Sequence, residues 1–196
     1  EFEYVQALAA VTDTAFPADR ALSAYHLGGG GLTLPRYLER VRPGTSSVVS
    51  EIDPGVLEIG EQPLGLATGP DLDVRIEAAR LGLRRLDAFG GISVPWHLTT
   101  REALADVHRV LRSDGIYAAN LIDFAPLAFA RAELSTMRTV FDHVAVASDA
   151  ATLDREVGSG GNVVAIASDS PLDLVALRAG FAAQGLAWEV IEGGEL

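Results

Sequence analysis

Four consecutive glycines, Gly28 to Gly31, separate a short apolar run from a helical pattern, and a second apolar run then ends in Glu51-Ile52-Asp53. Glycines at a strand-to-helix turn let backbone amides and a helix N-terminus approach a ligand, which makes Gly28, Gly29, Gly30 and Gly31 binding candidates. An acid about twenty residues further on is placed to accept ribose hydroxyls. Asp53 precedes a proline and reads as a helix cap, so Glu51 is the ribose candidate of the pair. Thr33 stands where G-x-G-x-x-G has its third glycine, which argues against a pyrophosphate clamp. Asp87 opens a glycine-containing stretch to Pro95, where a carboxylate could take a proton from an attacking amine or hydroxyl. It reads equally as a loop acid bonded to local amides, and Asp123 is a weaker version of the same case. His26 reads as a core histidine, His97 as a ring packed on a helix start, and His108 and His143 as surface residues. These four histidines show no metal-ligand spacing, so no metal is expected. Neither a G-x-S-x-G elbow nor a P-loop lysine is present.

These residues need strands and helices to hold them. Phe2 to Ala15 has near-helical apolar spacing and stops before Pro17. Strand one is expected over Ala21 to Leu27, a helix over Gly31 to Val41 ending at Pro43-Gly44, and strand two over Ser47 to Ile52. Asp53-Pro54 then starts a helix to about Gln62, and Leu72 to Ile76 alternates as a third strand. A fourth buried strand should follow, yet Arg80 to Leu86 carries adjacent arginines unsuited to one. Either something irregular replaces it or residues are missing between Leu86 and Asp87, and the second is preferred. Thr99 and Glu102 suggest a capping box for a helix running to Asp114-Gly115. A strand over Ile116 to Ile122 and a helix over Pro126 to Phe141 come next. Val144 to Ala147 and Val163 to Ser168 should pair antiparallel across a polar loop without helical period. Ser170-Pro171 should cap a last helix to Gly185, followed by an edge strand over Trp188 to Ile191. The pattern is α/β, a mostly parallel doubly wound sheet with a C-terminal antiparallel hairpin.

With 196 residues and 48% hydrophobic content, one domain with a substantial core is expected. Fifteen basic against 27 acidic residues give a net charge of -12, which disfavours nucleic acid and anionic membranes as partners. There is no cysteine, so disulfides and thiolate metal sites are excluded. No apolar stretch reaches about 18 residues and no signal-peptide pattern opens the chain, so a soluble cytoplasmic protein is expected. A nicotinamide dehydrogenase fits poorly, because this length leaves little room for a second mononucleotide half and a substrate domain.

Four segments together resemble one family. Glu1-Phe2-Glu3-Tyr4 is similar to an E-F-x-Y segment, Leu27 to Thr33 to a G-G-G-D-G-G loop, and Val49 to Asp53 to V-x-E-I-D. Asp87 to Pro95 with Leu98-Thr99 is similar to a D-S-x-D-P-x-G-P gate loop and its following helix. This set, spread over nearly the whole chain, resembles the spermidine synthases (polyamine aminopropyltransferases) and their spermidine synthase-like relatives. The resemblance implies a Rossmann-like class I methyltransferase fold that binds decarboxylated S-adenosylmethionine or S-adenosylmethionine. It implies transfer of an aminopropyl or methyl group to a small acceptor, with Glu51 on the ribose hydroxyls and Asp87 as base. It also implies a homo-oligomer, a dimer in the simplest case. Three family acids are replaced: the glycine-loop aspartate by Gly31, the second gate-loop aspartate by Gly90, and the adenine-binding aspartate by Ala78, where Glu77 could partly substitute. Losing carboxylates that pair with a dicationic diamine should cost on the order of several kcal/mol of binding. The acceptor therefore need not be a polyamine, and a non-catalytic binding or dimerisation module is the alternative.

Overall fold

Strands buried on both faces need apolar side chains in both directions, and the central strands of this chain supply them. The computed structural model describes residues 2–61, 69, 71–85, 90–92, 98–154, 156, 158 and 160–196, with 59–61 and 90–92 described by their backbone. Its strands are β1 (Ser23–Leu27), β2 (Ser46–Glu51), β3 (Leu72–Ile76), β4 (Gly90–Ile92), β5 (Tyr117–Asp123), β6 (His143–Asp149), β7 (Gly161–Ser168) and β8 (Trp188–Glu192). They form one sheet in the order β3-β2-β1-β4-β5-β7-β6-β8. The first five in that order run parallel, and β7, β6 and β8 add on as antiparallel neighbours.

Alternation along β5 divides the core in two. Tyr117, Ala119 and Leu121 pack with Leu83 of α4 (Ala79–Arg85), Leu104 of α5 (Arg101–Val110) and Leu134 of α6 (Ala128–Met137). Ala118 packs on the other face with Leu8 of α1 (Glu3–Ala15), Leu38 of α2 (Thr33–Val41) and Phe181 of α8 (Leu174–Ala183). Helix α3 (Pro54–Glu61) follows β2, and the single turn α7 (Ala150–Leu153) lies between β6 and β7. Among the described residues no helix is long and apolar enough to cross a membrane.

Several local expectations shift. The strand between β1 and β5 is Gly90–Ile92, inside the stretch expected to be loop, and Arg80–Arg85 is helical. Buried backbone groups of neighbouring strands need partners, and that demand outweighs the poor strand propensity of glycine. Whether residues are missing between Leu86 and Asp87 lies outside the described residues, as do Pro63, His97 and the side chains around them. Thr100, not Thr99, caps α5 by accepting the Ala103 amide at 3.2 Å, which puts Glu102 one position short of a capping box. That helix ends at Val110 rather than near Asp114. The loop after β6 does contain a helical turn, because the Asp149 carboxylate accepts the Thr152 amide and hydroxyl at 2.9 and 2.7 Å. Asp173 rather than Ser170 caps α8, accepting the Ala176 amide at 2.9 Å. Ser170 instead donates its hydroxyl to the Ser113 carbonyl. The helix expected from Pro126 to Phe141 is shorter, because Leu127 has φ 57° and α6 begins behind it.

Candidate functional site

The turn from β1 into α2 needs a left-handed backbone at three places: Gly28 (φ 105°), Gly30 (φ 50°) and Leu32 (φ 52°). An added Cβ at Gly28 or Gly30 would meet nothing within 4 Å, so backbone conformation, not packing, selects glycine there. The Gly28 amide donates to the Ser50 carbonyl at 2.9 Å, fastening the loop to the end of β2. Among the described residues no side chain caps the first turn of α2, so its leading amides point toward the loop without a side-chain acceptor there.

Glu51 closes this arrangement from β2. Its side chain is buried, with the residue 8% exposed, and Oε2 accepts the Gly29 amide at 2.7 Å while Oε1 accepts the Asp53 amide at 2.9 Å. A Cβ on Gly29 would lie 3.2 Å from Oε2, a tight approach that would make the bonded carboxylate give way by a few tenths of an ångström. Each carboxylate oxygen carries two lone pairs, so one acceptor position on each remains for a ligand hydroxyl. Asp53 behaves as a cap: Oδ1 accepts the Gly55 amide at 2.9 Å at the start of α3.

Glu77 follows β3, and its amide donates to the Glu51 carbonyl at 2.9 Å. Its carboxylate accepts the Ser50 hydroxyl at 2.9 Å and Arg85 at 3.1 Å. The buried Tyr25 hydroxyl reaches both Ser50 and the Ala79 carbonyl, and burial pushes the phenol pKa up. Ala78 takes the position before α4, where it offers no side-chain cap. Tyr25 and Ser50 were not singled out in the sequence, and a serine and a tyrosine inside apolar strands carry little signal of a shared bond.

Thus Gly28 to Gly31, Glu51, Asp53 and Glu77 converge at the carboxyl ends of β1, β2 and β3. Asp87 lies outside the described residues. Asp123 ends β5, and its carboxylate accepts the amides of Phe124 and Ala130 at 2.8 and 2.9 Å, the local-amide role. His26 is 3% exposed, its Nε2 lies 3.3 Å from the Ser47 hydroxyl, and burial pushes it down to about 4. His108 lies 2.8 Å from Asp169 on the surface. Among the described residues no group of three or more histidine or acid side chains could hold a metal ion.

Open parallel sheets bind ligands outside the carboxyl ends of their strands, where the strand order turns back. That geometry and the glycine loop define a Rossmann-like domain of the class I methyltransferase type, and comparison with solved structures agrees. The chain superposes on human methyltransferase-like protein 13, solved with SAH, with a TM-score of 0.72 at 20% identity, over 94% of this chain and 91% of that one. A probable spermidine synthase from Corynebacterium glutamicum gives a TM-score of 0.88 at 26% identity over 100% of this chain and 76% of that one. In sequence, a polyamine aminopropyltransferase of Vibrio vulnificus is 34% identical over 127 residues, 59% of this chain. The match spans only 42% of that relative's length. No protein-family model matches. Within its class, the chain is spermidine synthase-like in sequence and in fold.

Proposed function

We propose that the chain is a transferase that binds decarboxylated S-adenosylmethionine or S-adenosylmethionine and passes an aminopropyl or methyl group to a small acceptor. The observation that carries this reading is Glu51: a buried carboxylate, aimed by two backbone amides, with lone pairs left over beside a glycine loop. Fixed in this way, it would accept both ribose hydroxyls without reorganising. The relative's name and the SAH in a structural neighbour support the same class of ligand.

In aminopropyl transfer, the acceptor nitrogen's lone pair attacks the methylene carbon bonded to the sulfonium. The new C–N bond forms as the C–S bond breaks, and the C–S electron pair returns to sulfur, leaving neutral methylthioadenosine. The nitrogen must shed one proton, and Asp87 is the proposed base. Asp87 precedes β4 in the chain, whereas acids of such crevices usually follow a strand, so Asp87→Asn is the sharpest test of that role. Loss of turnover with retained nucleoside binding supports it, and unchanged turnover of every accepted substrate rejects it.

The nucleoside site is tested by titrating methylthioadenosine calorimetrically into the protein and into Glu51→Ala. Saturable binding lost in the variant establishes the site. The second reading, a non-catalytic binding or dimerisation module, is motivated by Gly31, Ala78 and Gly90 and by the commitment of Glu77 to Ser50 and Arg85. It predicts no binding at millimolar nucleoside. A cytoplasmic homodimer goes with the transferase reading, and sedimentation of the purified protein checks the stoichiometry.

A further inference from the structure

Two hydroxyls lie buried next to Glu51. Tyr25 of β1 and Ser50 of β2 are each 1% exposed, and their oxygens are hydrogen-bonded to each other. The parallel register sets Tyr25 opposite Val48 and Leu27 opposite Ser50, so the phenol leans toward the carboxyl end of β1 to reach the serine. Protons fix the direction of the bonds. The Ser50 hydroxyl has one hydrogen and donates it to Glu77 Oε1 at 2.9 Å, which leaves the serine oxygen to accept from Tyr25. The Ala79 carbonyl is a more distant acceptor for the same phenol, at 3.3 Å. Arg85 completes the set, donating to the other Glu77 oxygen at 3.1 Å.

Glu77 passes this constraint back to β2. Its carboxylate holds the Ser50 side chain while its amide donates to the Glu51 carbonyl at 2.9 Å, so β2 is gripped at two successive residues. The Ser50 carbonyl in turn accepts the Gly28 amide at 2.9 Å. Glu51 and Gly29, bonded to each other at 2.7 Å, are therefore each adjacent in sequence to a residue that these bonds hold. Helix α4 is shaped to fit: it carries Gly82 where a Cβ would collide with both hydroxyls and with Glu77. A glycine inside a helix lowers its stability. A satisfied buried polar set adds little net stability over an apolar one of the same shape, and what it supplies is a fixed arrangement.

We infer that Tyr25 and Ser50 are positioning residues for Glu51, and that the bonds running from Tyr25 through Ser50 to Glu77 set how strictly the site selects a ribose over a 2′-deoxyribose. This rests on the transferase reading and deepens it by naming what fixes its ribose acceptor. Both hydroxyls are sealed from solvent, so they act through Glu51 and not by contact with the nucleoside. The free lone pairs of Glu51 meet ligand hydroxyls only in a narrow geometry, and a displacement of about 1 Å is enough to lose most of such a bond.

Methylthioadenosine and its 2′-deoxy analogue are titrated calorimetrically into the wild-type protein, Tyr25→Phe and Ser50→Ala. The wild type is expected to favour the ribonucleoside by about thirtyfold, the worth of one hydrogen bond to a charged acceptor. In each variant the ratio should fall to about threefold, almost wholly through weaker binding of the ribonucleoside. The fitted stoichiometry reports the folded fraction of each sample, and Ser50→Ala carries the test where Tyr25→Phe does not fold. A hydroxyl with a merely structural role weakens both nucleosides by the same factor. That result, or a wild type that binds both nucleosides equally, overturns the inference while leaving the nucleoside site in place. Failure of the transferase reading looks different: the wild type binds neither nucleoside, and the inference falls with it.

Discussion

The Glu51 carboxylate accepts the Gly29 amide at 2.7 Å across 22 residues of sequence. Because its other oxygen holds the Asp53 amide, one side chain sets both the glycine loop and the start of α3 relative to β2. The ligand-facing loop and the acid that would meet ribose are therefore a single hydrogen-bonded unit.

Glu51→Ala leaves two amides without their acceptor and should lower stability by about 3 kcal/mol, read from urea unfolding midpoints. Glu51→Gln is informative because both wild-type oxygens face N–H donors. Whichever way the amide is oriented, its NH₂ confronts one of them, and a loss of about 2 kcal/mol is expected.

Gly82→Ala sets two effects against each other. Within α4, alanine is favoured over glycine by about 1 kcal/mol of helix propensity. The added Cβ, however, would lie 1.9 Å from the Tyr25 hydroxyl, 2.5 Å from the Ser50 hydroxyl and 2.8 Å from Glu77 Oε1. Overpacking of this kind costs about 3 kcal/mol and wins. Thermal unfolding should show a clearly lowered Tm, and methylthioadenosine affinity should fall with it because Glu77 and Ser50 adjoin Glu51.

Glu133 of α6 is 2% exposed, with Oε1 unpartnered among the described residues, and burial pushes it up to about 7. Between pH 4.5 and 7 the folded state therefore holds a proton that the unfolded state has released, so stability falls as pH rises through that window. The full loss, on the order of 3 kcal/mol, is reached above the folded value. Glu133→Gln should gain stability over wild type at pH 8 and little at pH 4, measured by urea midpoints across pH.

His26 works in the opposite direction. Burial holds the ring neutral down to about pH 4, against an ordinary 6.5. As pH falls from 6.5 toward 4 the unfolded state takes up a proton that the folded state refuses, so stability is lost with acidification by an amount on the order of 3 kcal/mol. His26→Gln cannot titrate and should flatten the acid limb of the stability profile, again by urea midpoints against pH.

Much of the fold was legible because its determinants are local. Ser47 to Ile52, bounded by Pro43-Gly44 and Asp53-Pro54, marks β2 and its terminal acid, and the structure places β2 at Ser46–Glu51. The antiparallel β6–β7 pair followed from a polar, glycine-rich connection without helical period. Helix starts were less legible: Thr100 and Asp173 cap where Thr99 and Ser170 were expected. Adjacent hydroxyl and acid residues compete for the same role, and tertiary packing decides which one is held in extended backbone. The strand β4 could not be read at all, since Gly90-Gly91-Ile92 has no strand signature apart from the two neighbours that pair with it.

By itself, the order of residues determined the α/β alternation, the positive-φ turn at Gly28 to Gly30 and the acid that ends strand two, because each answers to backbone conformation or to the period of burial over a few residues. Only the tertiary structure decided which carboxylates are already bonded. It joined Glu77 to Ser50 and Arg85, turned Asp123 onto the amides of Phe124 and Ala130, buried Glu133 beside Tyr117 and brought Glu51 to Gly29. A carboxylate's partners are chosen by which strand ends lie side by side, and strand order is a long-range property that no local pattern of residue types encodes.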